Sequence, residues 1–115
     1  MNRVTVSLAI SLMVLAAAPH ARAHQAAITA ENLNQTIASA TTPADHEAIA
    51  AYYDNEAAEN HKMVVYHAGM KNIFTKAPNQ FHCNSLIKQY RAAAEADKAL
   101  AAQHRAMASN VEASK

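Results

Sequence analysis

The stretch from Thr42 to Gly69 constrains the fold most, because its apolar residues recur at helical spacing and both of its ends carry helix signals. Thr42 is a suitable N-cap, Pro43 fits the first helical position, and Asp45 stands where a capping box places an acid. Gly69 stands where a left-handed C-terminal cap would end a helix. At about 100° per residue, one face of this helix would carry a mainly apolar stripe. The members of this stripe are His46, Ile49, Ala50, Tyr53, Ala57, Asn60, Val64 and Ala68.

A second long helix is predicted from about residue 80 to residue 107, after a connection that spans Met70 to Pro78. Asn79 is the expected N-cap, and apolar residues again recur at helical spacing. The stripe of this helix comprises His82, Leu86, Gln89, Ala93, Ala96, Leu100, His104 and Met107. A polar tail is expected from Ser109 to Lys115.

A shorter first helix is predicted from Thr29 to Ala40, with Thr29 as its cap and a narrow apolar face. Two long helices joined by about ten residues should pack as an antiparallel pair. The chain contains a single glycine and has no alternating apolar pattern of useful length. The predicted fold is therefore all-α: an antiparallel hairpin of two long helices plus a short N-terminal helix. This would make a three-helix unit, or a four-helix bundle by homodimerisation.

Residues 1–23 have the pattern of an export signal. Arg3 supplies a minimal basic region, Val4 to Ala18 is apolar, and small residues precede a cleavage point after Ala23. The apolar run is shorter than the about 20 residues that a membrane-spanning helix needs. We expect cleavage to leave residues 24–115 as a single helical domain with flexible tails, located in the periplasm or secreted, with no membrane span.

Charge and cysteine content restrict the function further. The chain has 10 Lys and Arg residues against 9 Asp and Glu residues, and this balance argues against nucleic-acid binding, which favours a basic face. Cys83 is the only cysteine, so no internal disulfide is possible. In an oxidising compartment such a thiol pairs with another chain, binds a metal, or is buried.

An antiparallel hairpin would sort the side chains that could bind a metal into two groups. The connection-end group contains His61, Met63, His67, Met70, His82 and Cys83. The open-end group contains His46, His104 and Met107, with Glu47 close by. Each residue alone has an ordinary structural explanation, since a bundle histidine can be hydrogen-bonded or half-exposed, and methionine and cysteine can fill a core. Together they suggest a ligand, because buried imidazoles are unfavourable in a small core unless they have partners.

The ligand types point to a transition metal. Imidazole, thiol and thioether bind copper, zinc or haem iron, and soft sulfur selects Cu(I). The sequence lacks the CxxC, CxxCH and HExxH motifs that would be stronger evidence. We hypothesise an exported metal-binding protein, with copper as the expected ion, that serves in sequestration, delivery or resistance. The alternatives are a haem-binding electron carrier of the four-helix type and a non-catalytic envelope scaffold or chaperone-like protein.

His24 would become the first residue of the mature chain if the signal is cleaved after Ala23. Its free amine and its ring could then chelate Cu(II) together, an arrangement that resembles the histidine brace of exported copper proteins and oxidative enzymes. The sequence predicts no catalytic residues. His82 and Cys83 are adjacent on a helix, so their side chains diverge by about 100° and do not form a Cys–His pair. We therefore do not expect an enzyme.

Overall fold

The protein folds as an all-α hairpin with a short additional helix, as the sequence predicts. A computed structural model describes residues 26–74 and 76–114. Within these residues there are three helices, α1 (Leu33–Ser39), α2 (Pro43–Ile73) and α3 (Ala77–Ala113), and no strand. Helices α2 and α3 pack against each other along most of their length, and α1 lies against α2. None of the described helices is long and apolar enough to cross a membrane.

Two of the predictions lie outside the described residues. These are the export signal over residues 1–23, with its cleavage after Ala23, and the metal-chelating role of His24.

The predicted start of α2 is confirmed, and it is a complete capping box. The Asp45 backbone N–H donates to the Thr42 hydroxyl at 3.2 Å, and the Thr42 N–H donates to the Asp45 carboxylate at 2.9 Å. Pro43 occupies the first turn. The N–H groups of the first turn make no intrahelical hydrogen bond, so proline costs the helix no bond there. The acid also favours the positive end of the helix dipole, so this short sequence fixes where the long helix begins.

The predicted end of α2 at Gly69 is wrong. Gly69 does not have a positive φ, and the helix continues through it to Ile73, where the Phe74 N–H bonds to the Met70 carbonyl at 3.0 Å. A glycine inside a helix costs only about 1 kcal/mol relative to alanine. The good helix formers that follow it, such as Lys71, outweigh that penalty.

The predicted limits of α3 are also too narrow. The helix begins at Ala77 and runs to Ala113, through most of the segment expected to be a polar tail. Pro78 lies in its first turn, where proline is tolerated. Asn79 is therefore inside the helix rather than its cap. The Gln80 side chain donates to the Phe74 carbonyl at 2.8 Å, which ties the start of α3 to the end of α2 across a very short connection.

Helix α1 is shorter than predicted, because the chain makes a turn where Thr29 was expected to cap it. The Asn32 side chain accepts from the Thr29 N–H at 2.8 Å and donates to the Ala27 carbonyl at 3.1 Å. Such local side-chain bonds compete with helix formation, so the helix starts only at Leu33. An open groove of about 590 Å³, lined largely by small residues, lies between this segment and α2.

The buried seam between the long helices is built mainly from small residues. Its buried members are Ile49, Ala50, Ala57, Val64 and His67 on α2, and Cys83, Ala94, Ala101, His104 and Ala108 on α3. Alanine at the interface allows two helices to approach closely. The predicted α2 stripe is confirmed as far as Val64, after which the seam passes through His67 while Ala68 is exposed.

The predicted α3 stripe is confirmed only in part: His104 is buried and three members are half-buried (Leu86, Ala93 and Leu100), while four are exposed (His82, Gln89, Ala96 and Met107). It lies one residue away from the observed seam, so Cys83 is buried while His82 is exposed. Both helices bury residues at alternating steps of three and four, which is a seven-residue repeat rather than the 3.6-residue period assumed for a straight helix. The larger Leu86 and Leu100 flank the seam and are half-buried, because the alanine face allows the closer approach.

Three contacts across the seam repeat every seven residues. Each step of seven along α2 is matched by a step of seven backwards along α3. The three pairs are Tyr53 with His104, whose rings stack at 6.0 Å, Asn60 with Asp97, hydrogen-bonded at 2.9 Å, and His67 with Tyr90, whose rings stack at 5.7 Å. Polar and aromatic layers thus alternate with alanine layers along the hairpin.

Candidate metal-binding site

A cavity of about 250 Å³ lies where the long helices meet the connection. The end of α2, the start of α3 and the connection itself supply its walls. The lining residues are His67, Met70, Phe74, Asn79, His82 and Cys83. Four members of the predicted connection-end group therefore share one cavity, as expected for an antiparallel hairpin.

His67 is the most unusual residue of this cavity. Its side chain is 9% exposed, and its Nδ1 atom is buried with no hydrogen-bond partner among the described residues. The Tyr90 ring stacks on the imidazole, nearly parallel at 11°, and Tyr66 meets it edge-on at 5.3 Å. The two tyrosines hold the plane of the ring. A buried polar atom without a partner costs about 1–3 kcal/mol, and a ligand at Nδ1 would relieve that cost.

Cys83 contributes a free thiol that is 1% exposed. Of the three states open to a single cysteine, a disulfide with another chain is disfavoured, because the sulfur is enclosed by the seam. His82 is exposed and lines the cavity from its rim. The opposite exposure of these neighbours agrees with the expected divergence of their side chains. Together with Met70, the cavity offers a buried thiol, a half-buried thioether and two imidazoles.

His61 and Met63 do not line this cavity. His61 is exposed on α2 and Met63 is half-buried. Both precede the cavity by more than one turn, and the structure does not bring them to the other members of the connection-end group.

The open end of the hairpin brings His46 and His104 into direct contact, as predicted. Their Nδ1 atoms are 3.2 Å apart, and their ring centroids are 5.5 Å apart. His104 is 6% exposed, and burial together with the neighbouring His46 lowers its pKa below the usual 6.5. The His104 ring is therefore suited to the neutral form at pH 7, which is the form that binds metals.

The other members of the open-end group lie outside the seam. Met107 is 36% exposed. Glu47 has its carboxylate 3.8 Å from the Arg105 guanidinium, and Asp54 forms a shorter ion pair with the same arginine. These ion pairs are exposed, so each adds little stability. Two carboxylates against one guanidinium leave a net negative charge beside the two histidines.

Within residues 26–74 and 76–114, no three His, Cys, Asp or Glu side chains form a group that could hold a metal ion. A site in the cavity would therefore depend on the Met70 thioether as well as on imidazole and thiol. Such a ligand set suits a soft ion with few ligands. It does not provide the four N and S ligands of a structural zinc site.

Several residues of the two ends were not predicted as site residues, although Tyr53 belongs to the predicted α2 stripe. Tyr90 and Tyr53, which stack on the buried histidines, are such cases, as are Phe74 and Asn79 in the cavity wall. The signal for Tyr90 was present, since it stands seven residues from both Cys83 and Asp97 and thus belongs to the seam repeat.

Comparison of the chain with protein-family models, with curated proteins and with solved structures found no significant match.

Proposed function

We propose that the protein is a small exported metal carrier that binds Cu(I) in the cavity between α2 and α3. The observation that carries this proposal is the unpartnered Nδ1 of His67 in a wall shared with Cys83 and Met70. An imidazole, a thiol and a thioether are the ligands that Cu(I) prefers. Binding would satisfy a nitrogen that the folded protein otherwise leaves without a partner.

The cavity supports a single ion better than a larger cofactor. Its volume of about 250 Å³ lies below the range of about 300–1,000 Å³ of pockets that hold drug-sized ligands. Haem is larger than such ligands and needs axial ligands placed about its iron. Zinc is the competing ion. Zinc prefers four N and S ligands, whereas this cavity offers a thioether among fewer buried ligands.

A role in sequestration or delivery suits the arrangement better than catalysis. His82 stands at the rim of the cavity and Cys83 is enclosed behind it, so an ion could pass from an exposed ligand to a buried one. Export is proposed from the signal pattern of residues 1–23. The exposed side chains of Ile73 and Phe81, near the connection, support the association of two copies into a four-helix bundle.

The test is a Cu(I) titration of the mature protein against a coloured chelator. The wild type should retain one equivalent in the cavity. His67→Ala and Cys83→Ser should each weaken this binding at least about tenfold, because even residues that only support a ligand are worth about 10–100-fold in metal affinity. His61→Ala is the matched control, since His61 is an exposed histidine of α2 outside the cavity, and it should bind as the wild type does.

Two results would overturn this proposal. One is a wild-type protein that yields its Cu(I) completely to the chelator, and the other is an affinity that neither substitution changes. An absorption spectrum of the protein purified from a periplasm would identify haem by its Soret band. N-terminal sequencing of the same sample would show whether the mature chain begins at His24.

A further inference from the structure

The open end of the hairpin carries a second pair of ligand-type atoms, about 20 residues along each helix from the cavity. The Nδ1 atoms of His46 and His104 are 3.2 Å apart, one from each long helix. A shared proton is one explanation, in which one ring donates to the other. The alternative is that both lone pairs converge on a metal ion between them.

The distance decides which ion such a pair would suit. Zinc binds imidazole nitrogen at about 2.0–2.1 Å in tetrahedral geometry, which separates two ligand nitrogens by about 3.3–3.4 Å. The observed separation is 3.2 Å, close to this spacing. The ring centroids are 5.5 Å apart, so the two nitrogens face each other nearly head-on, and both rings would have to turn for their lone pairs to meet on one ion. A two-ligand Cu(I) site with opposed nitrogens would need about 4 Å.

The surroundings of the pair orient the more buried ring and attract a cation. Tyr53 stacks on His104 at 6.0 Å and 25°, which holds the orientation of the more buried ring. The charged groups at this end include Asp45, Glu47 and Asp54 from α2 and Arg105 from α3. The Asp45 carboxylate accepts from the Thr41 and Thr42 N–H groups, and the other two carboxylates pair with the arginine. Carboxylates outnumber the guanidinium here, so the local charge attracts a cation, whether a metal ion or a proton.

We propose that His46 and His104 form a second metal site, which takes a borderline divalent ion of the zinc type. Water or a small external ligand would complete the tetrahedron on the solvent side, since His46 is half-buried. This site is separate from the cavity and differs from it in chemistry, with two nitrogens in place of a mixed sulfur and nitrogen set. Its existence does not depend on copper binding at the connection end.

The experiment is a calorimetric Zn(II) titration in a His67→Ala/Cys83→Ser background, where the cavity has lost two of its ligands. This protein should still bind one equivalent of zinc at pH 7. Adding His46→Gln should weaken the binding at least about tenfold, and His104→Gln should have the same effect. Adding His61→Ala, which removes an exposed histidine of α2, should change nothing.

Zinc binding that persists unchanged in His46→Gln, or a background protein that binds no zinc, overturns the second site and leaves a hydrogen bond between the rings. Because His46 is half-buried while His104 is buried, the His46 variant remains informative if the His104 variant does not fold. The background variant also separates the two proposals. Failure of copper binding in the wild type concerns the cavity alone.

Discussion

The two ends of the hairpin each contain a buried histidine, and the two differ in what their nitrogens contact. At the open end His104 meets the Nδ1 atom of His46, while at the connection end His67 has a buried Nδ1 without a partner. An ion at the open end must displace a proton shared by two rings. An ion at the connection end releases the proton of the Cys83 thiol, but it breaks no contact of His67 and satisfies an atom that folding has left unpaired. Metal binding should therefore stabilise the fold more through the cavity than through the histidine pair.

The same contrast holds for the apolar packing. Ile49 and Cys83 are the largest fully buried side chains in the described residues, and they lie near the open end and the connection end respectively. A branched hydrocarbon fills the first position and a potential metal ligand fills the second. The open end is thus expected to carry more of the intrinsic stability.

The largest expected effect comes from Ile49→Ala. Removing a fully buried isoleucine from the seam should lower the free energy of unfolding by about 2–5 kcal/mol, measured by urea denaturation. Val65→Ala, which alters a valine of α2 that is 60% exposed, should stay within about 0.5 kcal/mol of the wild type. If Ile49→Ala leaves too little folded protein, Ile49→Val should cost about 0.5–1.5 kcal/mol. Equal effects at positions 49 and 65 would refute the assignment of the core.

A second comparison replaces the two buried histidines by phenylalanine. His67→Phe removes a buried nitrogen that lacks a partner and keeps an aromatic ring against Tyr90, so the metal-free protein should gain about 1 kcal/mol. His104→Phe leaves His46 without its partner and should lose about 1 kcal/mol. Denaturation in the presence of a chelator measures both.

The comparison is tested by the opposite signs expected for the change in unfolding free energy in His67→Phe and in His104→Phe. Destabilisation by both substitutions would mean that the Nδ1 atom of His67 is satisfied in solution, for example by a water molecule. In that case the argument for a ligand at the connection end would lose its basis. Adding Cu(I) should stabilise the wild type more than it stabilises His67→Phe.

The general architecture was predictable from the sequence, because helical spacing and the Thr42–Asp45 capping box are local signals. The closeness of His46 and His104 followed from antiparallel pairing alone. The buried face of α3 was missed, since apolar residues lie on both sides of the seam and a shift of one residue rotates the face by about 100°. Only the close approach permitted by alanines such as Ala94 and Ala101 selects the observed face.

The end of α2 and the details of the cavity were not predictable for a different reason. A glycine is a weak helix breaker, and only the tertiary context decides whether Gly69 ends the helix or lies within it. Whether the Nδ1 of His67 has a partner depends on every atom around it, and those atoms come from both helices. No sequence pattern contains that information.

Acid should affect the open end in particular. The pKa of His104 is lowered in the folded state from its usual 6.5, so the unfolded chain binds more protons than the folded chain just below that pH. The stability contributed by neutral His104 is therefore fully present above pH 6.5 and is lost as the pH falls towards the folded pKa. Urea midpoints measured between about pH 8 and pH 5 should show this loss.

The matched variant for the pH series is His104→Phe. Its stability should depend less on pH over that interval than the stability of the wild type does. Identical pH profiles for the two proteins would show that His104 does not titrate differently in the folded and unfolded states.

The smallest expected effect concerns Gly69, which lies inside α2 without a positive φ. A Cβ atom added there would meet nothing within 4 Å, so Gly69→Ala should stabilise the protein by about 0.5–1 kcal/mol. Thermal denaturation is sufficient to detect this change. If alanine destabilises the protein instead, the helix ends near Gly69, and the cavity beyond it is built differently.

The seven-residue repeat of the seam has a consequence for how the two helices find their alignment. Two alanine faces would pack nearly as well if one helix slid past the other by two turns, so the apolar seam alone leaves the register ambiguous. Such a slip would move Asn60 from Asp97 to Tyr90 or His104, and would leave the carboxylate facing a ring. Buried polar residues fix the register of coiled coils in the same way, at some cost in stability. The polar layers therefore set the register of the two helices. Without them, the ligand-type side chains at each end of the hairpin would not lie opposite each other.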